Sequence, residues 1–312
     1  MRIPGSALPA TALVLSLAFS APATAQSRAD PEAGFGLAPK PLVTTKTDMI
    51  AAAHPLAAQA GAEILARGGS AADAAIAALL VLNVVEPQSS GIGGGAFALV
   101  HDGQDIVSYD ARETAPAGAT PELFLQDGKP MPWRSAVPTG RSIGVPGMVR
   151  LMETLHKTHG KLAWADLFRP AIAHARDGFR VTPRLSMLLD KYGGRLDGSA
   201  AGDQFRPGGK APAVGSVLRQ PDLADTLERI ATQGADAFYT GPIADAIVAA
   251  VGSAPMSGAM KQADLAAYKV IKRPAVCHPY RNARVCGMGP PSSGATTVGQ
   301  ILMILDRFKP GN

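Results

Sequence analysis

The chain has 312 residues, 46% of them hydrophobic and 18% charged, with a formal net charge of +5. This composition is ordinary for a globular protein and excludes a disordered chain. The basic excess is scattered, with no Lys/Arg cluster and no interleaved aromatics, which argues against a nucleic-acid partner.

The first residues read as an export leader. Arg2 is their only charge, an apolar stretch runs from Ala12 to Phe19, and Ala23-Thr24-Ala25 offers a small-residue cleavage site. The expected domain map is therefore a signal peptide over 1–25 cleaved after Ala25, a polar lead over 26–44, and one folded region over 45–312. Such a chain would work in the periplasm or be secreted. A membrane span needs roughly 18 or more uninterrupted apolar residues, which this stretch does not reach, so no membrane partner is expected. The competing reading is an uncleaved leader that tethers the chain.

His54-Pro55 opens a helix with apolar residues Leu56, Ala60, Ile64 and Leu65 at helical spacing, and Gly68-Gly69 ends it. Ser70 then stands as the N-cap of a second helix, with Asp73 placed to complete a capping box. The run from Ala74 to Val85 is apolar on nearly every side, which predicts a buried helix. Its exit, Glu86 to Val100, carries the glycine cluster Gly91-Ile92-Gly93-Gly94-Gly95. A phosphate loop is a poor match, because the Lys-Ser/Thr ending is missing and the cluster follows a helix. Tight packing of helix on sheet is the alternative.

Strands are expected at 96–101 and 105–109, joined by the turn signal Asp102-Gly103. Arg112 falls just past the second. An arginine there is either a solvated surface charge or a fork that grips a carboxylate through two parallel N–H bonds. Helices follow from Pro146-Gly147, with a break at His159-Gly160 and a second helix over 164–176. His156, His159 and His174 lie in this stretch without the partners of a catalytic triad, and read as structural or surface residues. Residues 193–216, rich in Gly, Pro and Ala, read as a long loop. Helices are then expected at 221–233 and 242–251, each opening on a proline, and a short helical turn at 264–268.

Cys277 and Cys286 lack a metal-binding spacing, so neither a zinc site nor another cofactor is expected. If Arg281-Asn282 is a two-residue hairpin loop, counting outward sets Cys277 opposite Cys286 in a non-hydrogen-bonded pair. An oxidising compartment would then permit a disulfide, the other reading being two small buried thiols. A last helix is expected over about 297–308, with Thr296-Thr297 at its entry.

Taken in order, six segments resemble the large-subunit landmarks of gamma-glutamyltranspeptidases. They are Gly68-Gly-Ser-Ala-Ala-Asp-Ala-Ala75, Glu86-Pro through Gly91-Ile-Gly-Gly-Gly95, Ala111-Arg-Glu-Thr-Ala-Pro116, Gly144-Val-Pro-Gly147, Asp264-Leu-Ala-Ala-Tyr268 and Pro290-Pro-Ser-Ser-Gly294. The resemblance implies an α/β chain of the N-terminal nucleophile hydrolase type, a layered αββα sandwich of which this is the large-subunit part. It also implies self-cleavage of a precursor, with a small subunit from the same precursor as partner, and a threonine nucleophile at that subunit's new N-terminus. That threonine would attack the γ-glutamyl amide of glutathione or a related compound, using its own amine as base. The acyl group would pass to an amino acid, a peptide or water. The expected nucleophile motif, Thr-Thr-His, does not occur in this sequence, so no catalytic residue is expected here and this chain alone is expected to be inactive. Arg112 matches the family arginine that holds the substrate α-carboxylate. The competing functions are a glutaryl-type amide acylase on the same scaffold, and a non-catalytic carboxylate-binding protein.

Overall fold

The computed structural model describes residues 42–308, so the expected signal peptide and nearly all of the polar lead lie outside the described residues. Helix α1, Pro55–Ala66, starts where the His54 imidazole accepts the Leu56 N–H through Nδ1 at 3.2 Å. It stops at Gly68, whose φ of +83° suits a residue without a Cβ. Helix α2, Ala71–Val85, begins with the anticipated reciprocal cap: Asp73 N–H donates to Ser70 Oγ at 3.1 Å, and Ser70 N–H donates to Asp73 Oδ2 at 2.9 Å.

Asp73 does more than cap. It is fully buried, and Oδ2 also accepts the backbone N–H groups of Lys161 at 2.8 Å and Leu162 at 3.2 Å. Burial alone would raise its pKa, but these hydrogen bonds outweigh that and hold it below the usual carboxylate range. Ile76, Leu80, Val81, Val84 and Val85 make α2 the centre of the core. Each such side chain contributes roughly 1.5–3 kcal/mol by leaving water.

Strands β1, Ala96–His101, and β2, Ile106–Ala111, form the expected antiparallel pair. A third strand, β3, Ile271–Pro274, joins the far side of β2, with Val107 opposite Pro274 and Asp110 opposite Ile271. Sequence reading missed β3 because Lys272, Arg273 and Pro274 break the alternation of a half-buried strand. They suit an edge strand, where charge and a missing N–H deter further pairing.

Helices α3, Met148–His159, and α4, Trp164–Asp177, follow the anticipated break, and α5, Pro183–Tyr192, comes next. The stretch 193–216 departs from the expected long loop, since it contains a short helix over Ala200–Phe205 flanked by 3-10 turns. The Arg206 side chain organises it, donating to Asp197 at 2.8 Å and to the Leu189 and Gly209 carbonyls at 2.5 Å. Glycine and proline content hid that anchor.

Helices α6, Pro221–Gln233, and α7, Gly241–Ser253, lead through a short turn, Gln262–Ala266, into β3. Strands β4, Val276–Tyr280, and β5, Ala283–Gly287, form a hairpin in the register counted from sequence, with Tyr280 opposite Ala283 and Cys277 opposite Cys286. The cysteine Cα atoms are 4.0 Å apart and the sulfurs 2.07 Å apart. Helix α8, Ser293–Leu305, packs on this hairpin. Its N-cap is Ser292, whose hydroxyl accepts the Gly294 N–H at 3.0 Å, so Thr296 and Thr297 lie inside the helix rather than at its entry. On α8 and just past it, Val298, Ile301, Ile304, Leu305 and Phe308 are exposed.

Candidate functional site

Three of the sequence landmarks converge beyond the end of β2. The glycine-rich turn after α2 sends the Gly94 carbonyl to the N-terminus of α3, where it accepts the N–H groups of Gly147 and Met148, both at 3.0 Å. Thr114 and Val145 form an antiparallel bridge, exchanging N–H···O bonds of 3.3 and 2.8 Å. Two close approaches make glycine necessary. A Cβ on Gly95 would stand 2.6 Å from the Ala111 carbonyl oxygen, and one on Gly147 would overlap that same oxygen and the Tyr268 hydroxyl. The glycines therefore let a turn, a strand end and a helix start meet backbone to backbone.

Arg112 stands at this junction with its backbone fixed at both ends. Its N–H donates to Asp110 Oδ1 at 3.1 Å, and its carbonyl accepts from the Tyr268 hydroxyl at 2.8 Å. Asp110 is buried and is itself held by Arg273 of β3, whose Nε lies 2.9 Å from Oδ2. The strand missed in the sequence thus braces the residue singled out there. Burial, with the Asp110 and Glu113 carboxylates nearby, pushes the Tyr268 phenol up to about 12, so it remains a donor at neutral pH.

The Arg112 side chain is 57% exposed, and its nearest carboxylate, Glu113, is 3.4 Å away. It opens into a cleft of about 500 Å³ lined also by Glu113, Thr114, Phe124, Arg141 and Ile143. That volume is within the range of small-molecule sites, roughly 300–1,000 Å³. Two arginines against one glutamate give the cleft a positive balance, suited to an anionic ligand. The Ser142 hydroxyl beside it is engaged, donating to the Val137 and Thr139 carbonyls at 2.7 and 2.9 Å. No histidine is among the lining residues. These residues can bind and orient a carboxylate, and they hold no paired nucleophile and base.

The three histidines of α3 and α4 are elsewhere. His156 Nε2 contacts the Leu162 carbonyl at 2.8 Å, His159 Nε2 meets the Tyr109 hydroxyl at 2.9 Å, and burial lowers the pKa of His174. Two features of the site, one lining the cleft and one beneath Arg112, escaped the sequence reading. Arg141 stands three residues before the Gly144-Val-Pro-Gly147 landmark, and only that proximity hinted at it. Tyr268 counted as part of a landmark without a role for its hydroxyl.

The sequence model of one family, gamma-glutamyltranspeptidase, matches residues 57–312. A glutathione hydrolase proenzyme of Bacillus subtilis is 38% identical over 298 residues, covering 95% of this chain and 50% of the relative. The chain spans about half the length of the curated relatives it matches. Among solved structures, the gamma-glutamyltranspeptidase of Helicobacter pylori superposes with a TM-score of 0.82 at 34% identity, over 86% of this chain and 77% of that one. A cephalosporin acylase from Bacillus halodurans superposes with a TM-score of 0.75 at 32% identity, over 89% and 54%.

Proposed function

Because the chain belongs to the gamma-glutamyltranspeptidase family, we propose that it is the large-subunit part of an enzyme that cleaves γ-glutamyl amides, glutathione foremost, and passes the γ-glutamyl group to amino acids, peptides or water. Arg112 is the residue of this chain that holds the substrate, its guanidinium pairing with the α-carboxylate of the γ-glutamyl group. The observation that carries this reading is the convergence of the Gly91–Gly95, Ala111–Pro116 and Gly144–Gly147 segments on a cleft that Arg112 enters.

Within this reading the division of labour is chemical. A threonine N-terminal to a small subunit supplies the nucleophile and its amine the base, and the chain described here supplies orientation. Fixing the Arg112 backbone through Asp110 and Tyr268 sets where the α-carboxylate rests, and so where the γ-carbonyl is presented. The exposed apolar residues on and after α8 fit a face that the small subunit covers, since a layered fold buries such faces against a further element. Export to the periplasm or medium is part of the same proposal, supported by the leader pattern and by the paired cysteines, which favour an oxidising compartment. Among the described residues no helix is long and apolar enough to cross a membrane.

A second reading, an acylase for glutaryl-type amides, is favoured by the likeness to the cephalosporin acylase. The complete precursor, assayed with γ-glutamyl-p-nitroanilide and a glutaryl amide side by side, separates the two. Turnover of the first, lost by about a hundredfold in Arg112→Gln, is expected. Glutaryl turnover without γ-glutamyl turnover would reverse the assignment.

A further inference from the structure

We propose that Arg141 is a second carboxylate contact in the Arg112 cleft, which makes the site selective for γ-glutamyl donors whose leaving group carries its own carboxylate. The ligand class is a γ-glutamyl peptide with a free C-terminus, carrying anionic groups at both ends. This deepens the proposed function and rests on the Arg112 reading for the identity of the first carboxylate.

Arg141 is half-buried and lines the same cleft of about 500 Å³ as Arg112. Its Nη1 donates to the Leu123 carbonyl at 3.1 Å, and Leu123 also lines the cleft. A guanidinium has five N–H donors, so this single bond orients the fork and leaves most of it unengaged. Among the described residues no carboxylate lies within 4.0 Å of Arg141, whereas Arg112 has Glu113 beside it. A cation partly withdrawn from water, aimed into a cleft and without a counter-charge is a binding group for an anion.

The backbone beneath it is firmly held. Arg141 belongs to the 3-10 turn Gly140–Ser142, where Gly140 N–H donates to the Pro255 carbonyl at 3.1 Å and Ser142 N–H to the Thr139 carbonyl at 3.2 Å. Four residues later Val145 bridges to Thr114, two residues past Arg112. Because that bridge is antiparallel, Arg112 and Arg141, which precede Thr114 and Val145 in their segments, lie toward its opposite ends. A ligand reaching both must be extended, and a tripeptide-sized donor spans roughly 10 Å. The α-carboxylate would rest at Arg112, the scissile amide between the arginines, and the leaving group's C-terminal carboxylate at Arg141. Phe124 and Ile143 provide an apolar wall for the intervening side chain.

The test compares glutathione with its C-terminal amide as donors for the complete precursor. The unaltered enzyme is expected to favour the acid by about tenfold in kcat/KM, a single charge-assisted contact discounted for solvent. Arg141→Gln should bring that ratio to about one, and Arg141→Lys, which keeps the charge without the fork, should retain part of it. An acid-to-amide ratio that Arg141→Gln leaves unchanged would overturn the proposal. Arg112→Gln separates this from the underlying assignment: it should lower turnover of both donors while preserving their ratio, and if it affects neither, the Arg112 reading fails on its own. Should neither donor be turned over, thermal stabilisation of the precursor by acid against amide reports the same ratio. Equal stabilisation then counts against Arg141.

Discussion

The phenol of Tyr268 donates a 2.8 Å hydrogen bond to the backbone carbonyl of Arg112, a residue 156 positions earlier in the chain. Its ring lies parallel to that of Tyr239, with centroids 6.0 Å apart, and Tyr239 in turn donates to the Pro146 carbonyl at 3.1 Å. The Arg112 backbone and the entry of α3 therefore share one aromatic support.

Replacing Tyr268 by phenylalanine removes the hydroxyl and leaves the ring stacking. In the complete precursor, KM for γ-glutamyl-p-nitroanilide should rise about three- to tenfold with kcat within about twofold, because under the role proposed for Arg112 the loss falls on how the carboxylate is held. Stability should fall by only about 0.5–1.5 kcal/mol, the net worth of one hydrogen bond. An unchanged KM would mean the contact merely supports the fold.

Gly147→Ala should be far more damaging than its size suggests. The added methyl would overlap the Ala111 carbonyl and the Tyr268 hydroxyl, both backbone or ring-held atoms at the base of Arg112. Overpacking of this kind costs about 1–3 kcal/mol. Chemical denaturation should show that loss, with activity falling further than in Tyr268→Phe. Gly91 has open space around its Cβ position, so Gly91→Ala should be tolerated there and serves as the control.

Acid should loosen the start of α1. His54 is buried, and burial first, then the facing His174, lowers its pKa below the ordinary histidine value, while Glu63 and Asp177 act on His174 in the opposite sense. Its Nδ1 must stay unprotonated to accept the Leu56 N–H. The unfolded chain thus takes up this proton first as pH falls, so the stabilisation is complete above the unfolded pKa and is lost as pH drops from there through the folded one. Melting temperatures at about pH 7.5 and about pH 5 should differ more for the native sequence than for His54→Asn, which keeps a cap acceptor that does not titrate, by about 2–4 °C. Identical pH dependence in the two proteins would remove His54 from the account.

The hairpin cysteines should be oxidised in the purified protein. Thiol titration of the denatured, unreduced chain should find no free thiol, and its intact mass should be two hydrogens below that of the reduced chain. The double substitution Cys277→Ser and Cys286→Ser should lower stability by about 2–3 kcal/mol on the chain-entropy estimate for so short a loop. Two titratable thiols in the native, unreduced protein would contradict the pairing.

Much of this fold was present as local pattern. Ser70 and Asp73 announced a cap, an apolar run announced the buried α2, and the Arg281-Asn282 loop fixed the facing of Cys277 and Cys286, because each depends on neighbours within a few residues. Arg112 stood out through its place in an ordered set of motifs. What only the tertiary structure decided lies across long separations: β3 as an edge strand on β2, Arg273 bracing Asp110, Tyr268 holding the Arg112 carbonyl, and Arg141 entering the same cleft. Caps and turns are governed by hydrogen bonds that close within one turn of chain, and their residue types betray them. Contacts between segments far apart in the chain are set by which surfaces pack together, and nothing in the periodicity around Arg141 or Tyr268 encodes that meeting.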